Sequence, residues 1–149
     1  MTYQMIIIPF LVLILTQIIK LSIDKIRGNL NLKNIFMSYG GMPSAHTAFA
    51  ISAVTMAALY EGVQSPLFAV AVVFALIIMR DAVTFRQILG HQGKLFNHLI
   101  NKLPLGEQKT LPHFAERIGH SLNEVAVGAV WGVVATLALD YIFYIIFPG

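Results

Sequence analysis

The sequence predicts an all-α fold: an integral membrane helical bundle of about four transmembrane helices, with an amphipathic helical segment at its surface. Three observations carry this. The 149 residues are 57% hydrophobic and only 11% charged, with a mean hydropathy of +0.75. A water-soluble domain of this size cannot hide so much apolar surface. Four apolar segments stand apart, and all ten Lys and Arg residues fall in two of the connections between them. The length suits one domain, residues 1–149. The absence of cysteine excludes disulfides, thiolate nucleophiles and cysteine metal sites. The net charge of +3 is small, and nothing resembles a basic surface of clustered Lys and Arg with interleaved polar residues, so no nucleic-acid partner is expected.

The first apolar segment runs from about Tyr3 to Ile19. The N-terminus lacks a basic region and a small-residue cleavage site, so it reads as a retained anchor. The second segment is Ala45 to Tyr60 and the third Pro66 to Met79. Both are shorter than the roughly 20 residues a span usually needs. The fourth runs from Leu122 to about Leu139, with an aromatic tail through Tyr144. Between the third and fourth, Phe85, Ile88, Leu89, Leu95, Phe96, Leu99, Ile100 and Leu103 recur at three- and four-residue steps. That spacing predicts one or two amphipathic helices at the membrane surface or against the bundle. Pro104 and Gly106 end it, and Leu105 to Phe114 reads as a loop.

Lys20, Lys25, Arg27 and Lys33 lie between segments one and two. Arg80, Arg86, Lys94, Lys102, Lys109 and Arg117 lie between segments three and four. With four spans, both connections share one side. The positive-inside rule makes that side cytoplasmic and both termini external. Cations that bind substrate are not topology votes, yet Lys25, Lys33, Lys94, Lys102 and Lys109 alone give the same answer. The expected location is the plasma (inner) membrane.

The polar groups gather on that side too. Gly40-Gly41-Met42-Pro43-Ser44-Ala45-His46 is a glycine-rich turn that opens segment two. Its glycines permit positive φ and close backbone approach. Pro43 suits a first helical turn, and Ser44 is a capping residue. His46 then sits where free N–H groups and the helix dipole favour an anion. The same residues also describe a well-capped helix with an incidental histidine. Gly119-His120-Ser121-Leu122-Asn123-Glu124 opens segment four in a similar way. His120 and Glu124 are four apart, which puts them on one helix face within hydrogen-bond reach. A carboxylate on one imidazole nitrogen would make the other a better nucleophile or base. Ser121-x-x-Glu124 equally fits a capping box. Arg80 and Asp81 leave segment three on this side, and Arg80 also reads as an interfacial anchor paired with Asp81.

These residues resemble the phosphatidic acid phosphatase type 2 superfamily, which includes lipid phosphatases and vanadium-dependent haloperoxidases. Its pattern is Lys-x6-Arg-Pro, then Pro-Ser-Gly-His, then Ser-Arg-x5-His-x3-Asp. Lys20 and Arg27 stand at the first spacing, with Gly28 for proline. Pro43-Ser44-Ala45-His46 matches the second, with alanine for glycine. His120-x3-Glu124 matches the end of the third, with glutamate for aspartate, and Phe114 stands where its arginine would be. The likeness is to the divergent short membrane branch, whose hallmarks look like Gly-Gly-Met-Pro-Ser-x-His, Asp-Ala-x3-Arg and Gly-His-x3-Glu-Val. Here these are Gly40 to His46, Asp81 to Arg86, and Gly119 to Val125.

The resemblance implies a lipid phosphate phosphatase without metal or other cofactor. His120 would attack phosphorus and Glu124 would orient it. His46 would protonate the leaving oxygen and then activate water. Lys20, Arg27, Ser44 and Arg86 would bind phosphate, with Arg86 replacing the missing arginine. Arg80, Arg117, Asp81 and Gly41 are further candidates. Lys20 and Arg27 also read as snorkelling cations, and they share a face only if the first helix runs past Ile19. Expected partners are the lipid phosphate and the bilayer, with a second copy able to complete so small a bundle. Two rival readings are a membrane protein that keeps the fold without catalysis, and a metal-dependent hydrolase using His46, His91, His113, His120 and Glu124. His91 and His98 read as surface residues, Trp131 as packing and Asp140 as interfacial. Gly128-x3-Gly132 reads as close helix packing, within or between chains.

Overall fold

Three helices begin on a serine whose hydroxyl caps the first turn. Ser44 accepts from Thr47 N–H, Ser65 from Phe68 N–H, and Ser121 from Glu124 N–H, satisfying donors that a helix start leaves open. Pro66 follows Ser65 at the position where a missing N–H costs nothing. The structure, a computed structural model, describes residues 3–26, 41–116 and 118–147. Among these the helices are α1 (Gln4–Ile26), α2 (Ala45–Tyr60), α3 (Pro66–Val83), α4 (Phe85–Ile100), α5 (Leu105–Gln108) and α6 (Leu122–Ile146). The chain is a membrane helical bundle.

α2 is the axis, and it packs against α1, α3 and α6. Its buried residues are almost all small: Ala45, Thr47, Ala48, Ala50, Ser52 and Ala57, with Met56. Small side chains let the neighbouring backbones come close, which drives association where lipid leaves little hydrophobic driving force. Gly128 and Gly132 of α6 face this surface. A Cβ on Gly128 would stand 2.7 Å from Ser44 O, and one on Gly132 the same distance from Ala48 O. The Gly-x3-Gly pattern therefore packs within the chain. Ile8, Val12, Ala48, Met56 and Ala135 form the core.

Polar pins cross it. Trp131 Nε1 donates to Thr16 Oγ1 (2.9 Å), and Thr136 Oγ1 donates to Ser52 Oγ (2.6 Å). At one end Tyr60 Oη donates to Asp140 Oδ1 (2.6 Å) and lies 2.8 Å from Gln4 Oε1. The outward faces are apolar, with Phe10, Ile14, Val70, Phe74 and Val134 all about half exposed, as a lipid environment requires.

The helices outrun their expected ends. α1 continues to Ile26, so Lys20 is helical. α3 reaches Val83 and α6 reaches Ile146. α1, α3 with α4, and α6 are long and apolar enough to cross a membrane. α2 is about 24 Å long against a hydrocarbon core of about 30 Å. The amphipathic stretch forms one helix, α4, joined to α3 through Thr84 alone. The expected loop from Leu105 opens instead with a single helical turn, α5, where Pro104 O accepts from Glu107 and Gln108 N–H.

Candidate active site

The end of the bundle opposite the Tyr60 pin collects the polar groups. α1 brings Lys20, which is 5% exposed. Its side chain lies along Gly41, where a Cβ would meet Lys20 Cε at 3.0 Å. Gly41 has φ +100°, so glycine is required there for conformation and for space alike. Met42–Pro43 is cis, and α2 starts at Ala45, so Pro43 precedes the cap rather than entering the first turn.

Ser44 is fully buried and its groups are engaged. Its N–H donates to Glu124 O (3.2 Å), and its Oγ accepts from Thr47 N–H and Oγ1–H. The helix donors that lack an intrahelical acceptor are then those of Ala45 and His46. His46 is exposed at this helix start. Lys20, Arg86 and Asp81 are close enough to act on it electrostatically.

From the α3–α4 junction comes Arg86, whose Nε donates to Asp81 Oδ2 at 2.6 Å. Both side chains are about one-third exposed. The same junction holds His120 by its backbone. His120 N–H donates to Ala82 O (3.0 Å), and Gln87 Nε2 donates to His120 O (2.6 Å). Gly119, at φ +114°, makes this possible, because a Cβ would stand 2.7 Å from Gln87 N.

The His120 imidazole is 7% exposed, and its Nδ1 is buried without a hydrogen-bond partner. Burial pushes its pKa below the usual 6.5. The Glu124 carboxylate opposes that, while Lys20, His46 and Arg86 push it lower still. The ring is therefore neutral at pH 7 and carries an available lone pair. Two histidines, two cations and two carboxylates, carried by five helices and the turn before α6, thus meet at one end of the bundle. Such a site can bind an anion, and it can offer a neutral imidazole beside a second one.

A family model described as "Divergent PAP2 family" matches residues 1–135. The chain belongs to the Divergent PAP2 family. A relative in Bacillus subtilis (strain 168), the "Uncharacterized membrane protein YuiD", is 36% identical over 143 residues, covering 88% of this chain and 90% of its own. No solved structure matches.

Of the residues expected from the family's motifs, Lys20, Gly41, Ser44, His46, Asp81, Arg86, His120 and Glu124 converge here. Arg27, Gly40 and Arg117 lie outside the described residues. Arg80 is exposed, and Asp81 pairs with Arg86 rather than with its neighbour, because Arg80 leaves α3 on a different face. His120 and Glu124 do not share a helix face: Ser121 is the N-cap, in extended conformation, and His120 stands outside the helix. Glu124 Oε2 accepts from Ser121 N–H (3.0 Å), closing a capping box. His91, His98 and His113 are exposed. No group of three His, Asp or Glu side chains is gathered for a metal among the described residues. Gln87 and Gly119 hold the His120 backbone; Gly119 belongs to the Gly-His-x3-Glu-Val motif, whereas Gln87 carried no signal, because its partner is 33 residues along the chain.

Proposed function

We propose that this Divergent PAP2 protein is a lipid phosphate phosphatase working at the cytoplasmic face of the plasma membrane, with both termini outside. The observation that carries the reading is the buried, neutral His120 set beside His46, Lys20 and Arg86 on separate helices. His120 attacks phosphorus and forms a phosphohistidine as the bond to the leaving oxygen breaks, and that oxygen, of an alcohol in a monoester or of the remaining phosphate in a diphosphate, takes a proton from His46. His46 then removes a proton from water, which attacks the phosphohistidine and releases inorganic phosphate and free His120. Lys20, Arg27 and Arg86 neutralise the phosphoryl oxygens, together with the N–H groups of Ala45 and His46. Phosphoryl transfer asks mainly for positioning and charge stabilisation, which this set supplies. Glu124 holds the second helix start and, through its charge, raises the proton affinity of His120.

The substrate is an amphiphile with a phosphomonoester or diphosphate head and its tail in the bilayer. Phosphatidylglycerophosphate, phosphatidate and polyprenyl diphosphate all fit that description. The test is phosphate release from a panel of these lipids by the purified protein, with His120→Ala and His46→Ala as controls. Both variants are expected to insert and to lose activity, and full turnover in either would refute the mechanism. One observation favours a second reading, a non-catalytic protein of the same fold: the Glu124 carboxylate closes a cap instead of holding His120 Nδ1. Absence of phosphate release across the whole panel would bring that reading forward.

A further inference from the structure

α4 turns the usual logic of an amphipathic helix inside out. Its buried residues are Gly90, Gly93 and Asn97. They face the chain returning toward α6: a Cβ on Gly93 would meet Ala115 O, and one on Gly90 would meet Glu116 O and Ile118 O. Asn97 clamps that segment, donating to Phe114 O (2.8 Å) and Glu116 Oε1 (2.9 Å) and accepting from Phe114 N–H (2.9 Å). The helix is thus fixed to its own chain by its small, polar side.

The apolar stripe of Phe85, Ile88, Leu89, Leu95, Phe96 and Leu99 is left outward, each residue about 49 to 59% exposed. At 3.6 residues per turn, His91, Lys94 and His98 form a third strip between the stripe and the clamped side. All three are exposed, as is Lys102 just beyond, and the helix contains no acidic residue.

We infer that α4 lies in the headgroup layer of the bilayer and binds anionic phospholipid there. Two features argue for this occupant. The stripe follows in sequence on the exposed apolar residues of α3, among them Val70, Val73, Phe74 and Ile77, with Thr84 alone between the helices. The cations lie along the edge of that stripe, as they do on helices that rest among phosphate headgroups, and their charge is complementary. The arrangement also sets the level of the candidate site, since Arg86 is the second residue of α4. The inference concerns lipid contact and does not depend on catalysis.

The chain has no cysteine, so Leu95→Cys in the full protein takes a single fluorescent label. The labelled protein is reconstituted in phosphatidylcholine vesicles containing equal small amounts of either phosphatidylglycerol or phosphatidylcholine that carries a quencher high on the acyl chain. Quenching by both lipids is expected, with phosphatidylglycerol favoured several-fold. The preference should fall by about fivefold for each lysine removed until none remains, so Lys94→Gln with Lys102→Gln, both exposed, should abolish it. A label at Glu107→Cys on α5 serves as the water-exposed reference. Equal quenching by the two lipids overturns the anionic reading. Quenching of the Leu95 label by aqueous iodide as strong as at position 107 overturns membrane contact. Quenching by neither lipid nor iodide also overturns it, and assigns the stripe to a second copy of the chain or another protein.

Discussion

Replacing Gly128 by alanine tests whether the site is built by helix contact. The added Cβ would stand 2.7 Å from Ser44 O, 3.1 Å from Ser44 N and 3.2 Å from Ser44 Cβ. The closest of these atoms belong to backbone and cannot rotate away, so α2 and α6 must separate by several tenths of an ångström. Overpacking of this kind costs about 1–3 kcal/mol, and the better helix propensity of alanine offsets up to about 1 kcal/mol. The expected net loss is about 1–2 kcal/mol. The contact lies in the layer where Ser44 N–H meets Glu124 O, so the separation also moves His46 against His120. Because a shift of about 1 Å can cost about 10²-fold in rate, a smaller one should cost about tenfold. Gly132→Ala makes an equally short contact, with Ala48 O, about 6 Å farther from the site along the helix. It should lose similar stability and keep most of its turnover. Gly106→Ala, with open space around it, should be neutral in both. Thermal unfolding and phosphate release by the purified variants measure the two effects. Gly128→Ala with unchanged stability and turnover would refute the contact argument. Equal activity losses at positions 128 and 132 would show general destabilisation rather than displaced histidines.

Further outcomes follow from individual groups. Because burial lowers the His120 pKa below 6.5, the acid limb of the kcat/KM profile should fall below pH 6.5. Glu124→Gln removes the charge that raises it, so the limb should move further to acid, and a move toward neutral pH would refute the assignment. Arg86→Ala should lower kcat/KM by about 10²–10³-fold, the usual cost of losing one charge-stabilising donor, with Arg86→Lys recovering only part. Unchanged turnover in Arg86→Ala would favour the non-catalytic reading. Trp131→Phe removes the donor to Thr16 Oγ1, which keeps its own bond to Val12 O. About 1 kcal/mol of stability should be lost with turnover intact, and lost turnover at unchanged stability would show that Trp131 serves the site.

What the sequence by itself determined is local or compositional. Hydropathy determined a membrane bundle, because every outward-facing side chain must suit lipid. Short-range signals determined the helix starts: Ser44 and Ser121 cap the helices they precede, and Glu124 closes the box three residues on. The same short-range physics misled where it was extended. His120 and Glu124 are four apart, but that spacing means one helix face only inside a helix, and the cap at Ser121 leaves His120 outside. Tertiary structure alone decided the contacts that make the site. Lys20 lies on Gly41, Asp81 takes Arg86 rather than Arg80, Ser44 N–H goes to Glu124 O, and Gly128 seats α6 on α2 instead of on another chain. Each depends on how helices distant in sequence come to lie against one another. Periodicity tells which face of a helix is small, polar or apolar, but not which distant backbone will close upon it.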